Sequence, residues 1–191
     1  MQITRSLTAL TVAALFVAPA TSGAQAPAAA PAGPEVGQAA PDFTINVIGK
    51  EGPARPLTLS SLKGQTVVLA FFPKVRTSGC TMQMEAYRDK YAELFRSGRK
   101  VTLISISTDA SAEQQAWARD ANFPMIFGSD VGGPVGTKYG AFQSGAGYDA
   151  RYLYVIDPDG KISYTAKPFK QMVDVAYSDL GAAIATSAGG H

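Results

Sequence analysis

The octapeptide Pro73-Lys74-Val75-Arg76-Thr77-Ser78-Gly79-Cys80 holds the one cysteine of this chain. It lies between an apolar run at residues 66–72 and an amphipathic segment that begins near Cys80. A sulfur at the start of a helix faces the free N–H groups of the first turn, which favour thiolate over thiol. The chemistry suited to that position is nucleophilic attack by sulfur. As packing alone, the same cysteine would be a small inert hydrophobe, and Thr77 alone would be an ordinary helix cap. The only histidine, His191, ends a Ser-Ala-Gly-Gly tail. This excludes a Cys-His or Ser-His pair, a histidine-rich zinc or copper site and a multi-cysteine cluster.

The start of the chain reads as a leader. Arg5 follows closely on Met1, residues 7–18 carry no charge, and Ala24-Gln25-Ala26 fits a small-x-small cleavage site. This is the pattern of a secretory signal peptide over residues 1–26. As a helix, its apolar run would rise only about 18 Å, short of a bilayer core of about 30 Å. The chain is therefore expected to be exported, periplasmic or secreted, with no membrane attachment after cleavage. About 165 residues would remain, enough for one domain. Without Arg5, 16 basic residues face 15 acidic ones. That balance, with no basic tract, argues against nucleic-acid binding. A single cysteine is unusual in an oxidising compartment, where thiols are normally paired or avoided.

The elements that must position Cys80 follow from patterning. Apart from Val36 and the charged Glu35, residues 27–37 are alanine, proline and glycine, and they read as a flexible linker. A domain is expected over residues 38–186 and a disordered tail over 187–191. Strands are expected at 42–48 and from 57, the second ending in a short helical turn. Residues 66–72 and 101–107 are continuous apolar runs, typical of strands buried on both faces. Between them, residues 81–97 predict one helix that buries Met84, Tyr87, Tyr91, Leu94 and Phe95 and stops at Gly98. Ser111 with Gln114 three residues later reads as a capping box for the next helix. Further strands are expected at 123–127 and 152–156, with a short helix near 135–139 between them. Asp157-Pro158-Asp159-Gly160 reads as the turn of a hairpin to 162–165. A closing helix at 171–185 should bury Val173, Ala176, Tyr177, Leu180 and Ile184. This order describes an α/β domain with one central mixed sheet and helices on both faces. The crossover rule makes 66–72 and 101–107 parallel neighbours. The Cys80 loop then lies at the carboxyl end of the sheet, where ligands of such folds gather.

In Pro73, Thr77 and Cys80 the chain resembles the peroxiredoxins, whose signature is Pro-x-x-x-Thr/Ser-x-x-Cys. The likeness is greatest to the bacterioferritin-comigratory, or Q-type, subgroup. Phe71-Phe72-Pro73-Lys74 and Thr77-Ser78-Gly79-Cys80-Thr81 are similar to its extended form, with Ser78 where proline is usual. Ala40-Pro41-Asp42-Phe43, Leu59 with Leu62-Lys63-Gly64, residues 104–109 and Arg151 extend the resemblance over about residues 36–185. Glu85 stands where many relatives keep a resolving cysteine.

The resemblance implies a thioredoxin-like fold and a thiol-dependent peroxidase that reduces hydrogen peroxide or organic hydroperoxides. Cys80 would attack the O–O bond and become a sulfenic acid. With no second cysteine, an external thiol or a thioredoxin-like reductant would restore it. Arg151 would stabilise the thiolate and the transition-state charge. Thr77 would orient the peroxide and bond the sulfur, and Pro73 would wall the sulfur from water. Gly79 and Gln83 would complete the substrate site, Gly79 through its backbone N–H and Gln83 by steadying the network. No cofactor or metal is expected, and the chain would be a monomer or homodimer. Two rivals share the scaffold: a binding or chaperone module without turnover, and a thiol–disulfide or copper carrier. The second requires another thiol, and Gln83, Met84 and Glu85 supply none.

Overall fold

The computed structural model describes residues 32–189. The leader at 1–26, residues 27–31 of the expected linker, and the last two residues including His191 lie outside them. The sheet grows from β3, Thr66–Phe71, all six residues of which are buried. Alternate side chains enter two cores: Val68, Ala70 and Phe72 on one face, Val67, Leu69 and Phe71 on the other. β4, Val101–Ser107, pairs parallel to β3, with Thr66 opposite Val101 and Phe71 opposite Ile106. β5, Ile126–Ser129, adds parallel to β4.

The remaining strands are antiparallel to their neighbours. β1, Thr44–Ile48, joins β5, and β2, Arg55–Thr58, joins β1. β8, Leu153–Ile156, lies beside β3, and β9, Ile162–Ala166, closes the far edge. The resulting order β2-β1-β5-β4-β3-β8-β9 is one mixed seven-stranded sheet. A two-stranded ribbon, β6 (Phe142–Gln143) with β7 (Tyr148–Asp149), stands apart from it and has no counterpart in the expected elements.

Helices cover both faces unevenly. One core takes side chains from α1 (Ser78–Asp89), α2 (Tyr91–Leu94), α3 (Ser111–Asp120) and α5 (Asp174–Gly189). There Trp117 stands edge-on to Phe123 at 5.1 Å between ring centroids. The other core takes Val135 from the short α4, Pro134–Lys138, together with Tyr139. Gly133 precedes α4 with φ +74° and lies under the Phe142 ring, so both its backbone and the space above it call for glycine. Among the described residues, no helix is long and apolar enough to cross a membrane.

Several expectations are corrected. The single helix at 81–97 starts earlier, at Ser78, and ends at Asp89. The chain then runs through α2 and a 3₁₀ turn in which Arg96 and Ser97 have positive φ. That break lets Phe95 pack edge-on to Tyr87 at 5.5 Å. Ser111 is not the cap of α3, because Ala110 holds that position. Gln114 instead turns inward, where its Nε2 donates to Ser107 Oγ at 2.9 Å and to the Gly128 carbonyl at 3.0 Å. Val173 lies before α5 and is 42% exposed rather than buried.

Both ends of the domain are also better packed than their composition implies. Lys167 Nζ donates to the carbonyls of Ala32 and Pro34 and to Glu35 Oε1. Gly37 N–H bonds the Ile162 carbonyl at 2.8 Å, so residues 32–37 dock on the sheet instead of forming a free linker. The tail expected from 187 is still helical at Gly189, with Ser187 buried.

Candidate active site

β3 delivers the chain to the carboxyl edge of the sheet, where Phe72 N–H makes a last bond to the Ile106 carbonyl at 2.9 Å. Pro73, half-buried, has no N–H with which to continue that ladder. The loop then turns through Arg76, at φ +61°, into α1 with Thr77 as its N-cap. The first i→i−4 bond of the helix is Thr81 N–H to the Thr77 carbonyl, 2.8 Å. The N–H groups of Ser78, Gly79 and Cys80 therefore have no partner within the helix and converge at its positive end.

The loop is held from outside. Val75 N–H donates to Asp109 Oδ2, and the same oxygen accepts from Ser107 Oγ at 2.8 Å. Lys74 Nζ lies 4.0 Å from Asp109, and Arg76 pairs with Asp120 on the surface. Both cations of the loop are thus engaged away from the sulfur.

Arg151 reaches the site from the opposite edge of β3. β8 runs antiparallel to β3, with Leu153 opposite Ala70 and Phe71 N–H bonding the Tyr152 carbonyl at 2.8 Å. That register sets Arg151 beside the residues that leave β3. Its Nη2 donates to Cys80 Sγ at 3.3 Å, and its Nη1 donates to Gln83 Oε1. Gln83, fully buried one helical turn after Cys80, passes the link on, its Nε2 donating to the Tyr87 hydroxyl at 2.8 Å. Burial pushes the Tyr87 phenol far above its ordinary value, so it remains a neutral partner. Phe169 N–H holds the Arg151 carbonyl at 2.7 Å.

Of the residues singled out from sequence, Cys80, Gln83, Arg151 and Gly79 meet. A Cβ on Gly79 would lie 3.5 Å from Arg151 Nη2. Thr77 caps the helix through its backbone, and its exposed hydroxyl, expected to bond the sulfur, donates instead to the Lys74 carbonyl at 3.1 Å. The lone pairs of that hydroxyl remain free to accept. Cys80 itself is fully buried, packed in the same core as Phe72 and Met84. Chemically, the site offers a sulfur at a helix N-terminus with a forked cation alongside, a setting for negative charge on sulfur and on an atom bound to it.

Three neighbours went unforeseen: Asp109, Tyr87 and Gln171. Asp109 closes the segment 104–109 noted above, so its place at a strand end was a usable signal. Tyr87 lies four residues after Gln83, on the same helical face. Gln171 is 91 positions from Cys80 in an irregular loop, and nothing in its surroundings marks it.

Residues 36–165 match the model of the AhpC/TSA family. Peroxiredoxin Q, chloroplastic, of Sedum lineare is 35% identical over 127 residues, covering 66% of this chain and 65% of that protein. "Putative peroxiredoxin bcp" of Coxiella burnetii (strain RSA 493 / Nine Mile phase I) is 34% identical over 135 residues, 68% of this chain and 85% of that protein. The crystal structure of peroxidoxin BcpB from Mycobacterium tuberculosis aligns with a TM-score of 0.67 at 26% identity, covering 79% of this chain and 96% of that one. The chain spans a little under two thirds of the length of the plant relatives it matches, 65% and 57% for the proteins of Sedum lineare and Triticum aestivum. The fold is thioredoxin-like, with a lone cysteine at the helix start that follows a parallel strand. The chain belongs to the AhpC/TSA family and is a peroxiredoxin.

Proposed function

We propose that this peroxiredoxin is a thiol-dependent peroxidase working through Cys80 alone. The Cys80 thiolate attacks one oxygen of R–O–O–H. An S–O bond forms, the O–O bond breaks, and the second oxygen leaves as an alkoxide or hydroxide that takes up a proton. The sulfur, oxidised by two electrons, becomes Cys–S–OH. A first external thiol displaces water to give a mixed disulfide. A second thiol attacks the reductant's sulfur and releases Cys80 as thiolate; the two external thiols leave as a disulfide, having supplied the two electrons.

The observation that carries this reading is the 3.3 Å contact of Arg151 Nη2 with Cys80 Sγ at the mouth of α1. The guanidinium is fixed in charge and planar, so one group can serve the sulfur before attack and the departing oxygen during it. Gln83 holds its other nitrogen in place. Dependence on an external thiol follows from the cysteine count of one. The reductant would be a small thiol or a thioredoxin-like protein, and the enzyme a monomer or homodimer. Export to the periplasm or medium is proposed from the leader pattern at residues 1–26, and cell fractionation tests it.

Peroxide treatment in the presence of a sulfenic-acid trap is expected to add the trap's mass to the peptide containing Cys80. Trap incorporation independent of peroxide, or none at all while peroxide is consumed, would overturn the proposal.

A further inference from the structure

Gly79 lies next to a sulfur that solvent does not touch, so what borders Gly79 bears on what can reach Cys80. Apart from its chain neighbours and the backbone of its own helix, a Cβ built on Gly79 would meet two atoms within 4 Å: Gln171 Nε2 at 3.2 Å and Arg151 Nη2 at 3.5 Å. The φ of Gly79 is not in the left-handed region. What limits a side chain here is the space left by the Gln171 amide, not backbone conformation. The gap between Gly79, the Gln171 amide and the Arg151 guanidinium is barely the size of a methyl group.

The loop carrying Gln171 is pinned. Phe169 is buried and bonds the Arg151 carbonyl through its N–H at 2.7 Å. Gln171 N–H bonds the Phe169 carbonyl at 3.2 Å, and the Tyr177 hydroxyl donates to the Gln171 carbonyl at 2.8 Å. Its neighbours Lys170 and Met172 face solvent, Met172 at 72% exposure. Gln171 is the half-buried residue between them, and its Nε2 lies on the same side of Gly79 as the Arg151 guanidinium, each within 3.5 Å of where a Gly79 Cβ would stand.

We infer that Gln171 is a specificity-determining residue, a polar wall that admits hydrogen peroxide to Cys80 and obstructs hydroperoxides with bulky organic groups. The inference rests on the peroxidase reading above and names the substrate class for that same site. Hydrogen peroxide is little longer than two oxygens and needs none of the volume that the Gln171 side chain fills. A cumyl or fatty-acyl tail beside the reacting oxygens would need the volume that the Gln171 side chain fills. Steric exclusion of this kind discriminates by roughly 10- to 200-fold per small group.

The test compares kcat/KM for hydrogen peroxide and cumene hydroperoxide in wild type, Gln171→Ala and Gln171→Leu, with dithiothreitol as reductant. The expected result is that Gln171→Ala raises the cumene-to-hydrogen-peroxide ratio by about tenfold, mostly through a lower KM for the bulky substrate. Gln171→Leu restores the volume without the amide and is expected to keep the ratio within about threefold of wild type. An unchanged ratio in Gln171→Ala, with turnover still dependent on Cys80, would overturn the inference alone. Wild type without Cys80-dependent turnover of either peroxide would overturn the peroxidase reading and the inference with it.

Discussion

The backbone N–H of Val75 donates to Asp109 Oδ2 at 2.9 Å, which fastens the loop before Cys80 to the end of β4. Ser107 Oγ donates to the same oxygen, and Gln114 Nε2 donates to Ser107 Oγ, so β4, α3 and the loop share one chain of bonds. Asp109 is buried and does not touch the sulfur. It is a positioning residue, acting through five positions of backbone.

Asp109→Ala should therefore slow peroxide turnover by about 10- to 100-fold through misplacement of the loop. It should also lower stability by roughly 1–3 kcal/mol, because Val75 N–H and Ser107 Oγ lose their acceptor. Asp109→Asn retains one oxygen acceptor and should recover most of the rate. Steady-state kinetics and urea melts on the three proteins check this. Equal rates for wild type and Asp109→Ala would remove the positioning role.

A second consequence concerns Gln83, whose amide joins Arg151 to Tyr87 inside the core. Gln83→Leu fits the space but strands the guanidinium and the phenol hydroxyl, a loss of about 1–3 kcal/mol. Turnover should fall, because Arg151 is then free to leave the sulfur. Tyr87→Phe removes only the far end of the chain and should cost less in rate than Gln83→Leu. If Tyr87→Phe slowed peroxide reduction more, the order of dependence would be wrong.

Asp149 makes stability depend on pH. It is fully buried two residues before Arg151, and neither carboxyl oxygen meets a hydrogen-bond donor among the described residues. Burial, followed by the nearby Asp130 and Asp109 carboxylates, raises it from 3.8 to about 8. Burial raises Asp130 too, against the Gly136 and Val135 N–H groups that hold it. A raised carboxyl keeps its proton in the folded state after the unfolded chain has released one. The associated stability is complete below pH 3.8 and is lost as pH climbs through about 8. Wild type should thus weaken between pH 5 and pH 9 relative to Asp149→Asn, by on the order of a few kcal/mol. Urea melts across that range give the two curves, and parallel curves would count against a neutral buried Asp149.

How much of this was legible in the sequence depends on the range of the signal. β3 and β4 were readable because a run such as Thr66-Val-Val-Leu-Ala-Phe has no solvent face to encode. Cys80 at a helix start was readable because the strand, the loop and the amphipathic segment adjoin. Arg151 is 71 residues from Cys80, and composition alone would leave it a strand-end charge. Family likeness pointed to it, and the β3–β8 register is the physical reason it arrives. The Ser111–Gln114 spacing misled because a local pattern carries no knowledge of the carbonyls that Gln114 serves across β4 and β5. The ribbon β6–β7 escaped notice because strands of two residues have no period. Asp149 and Gln171 draw their character wholly from what folds around them.

The central claim is that Cys80, with Arg151 at its side, is the group that reduces peroxide. The direct measurement is hydrogen peroxide consumption under dithiothreitol by wild type, Cys80→Ser and Arg151→Met at matched concentration and pH 7. The account predicts no consumption above background for Cys80→Ser and a loss of about 10²–10³-fold for Arg151→Met, the range for removing one transition-state donor. Consumption by Cys80→Ser at the wild-type rate would contradict it.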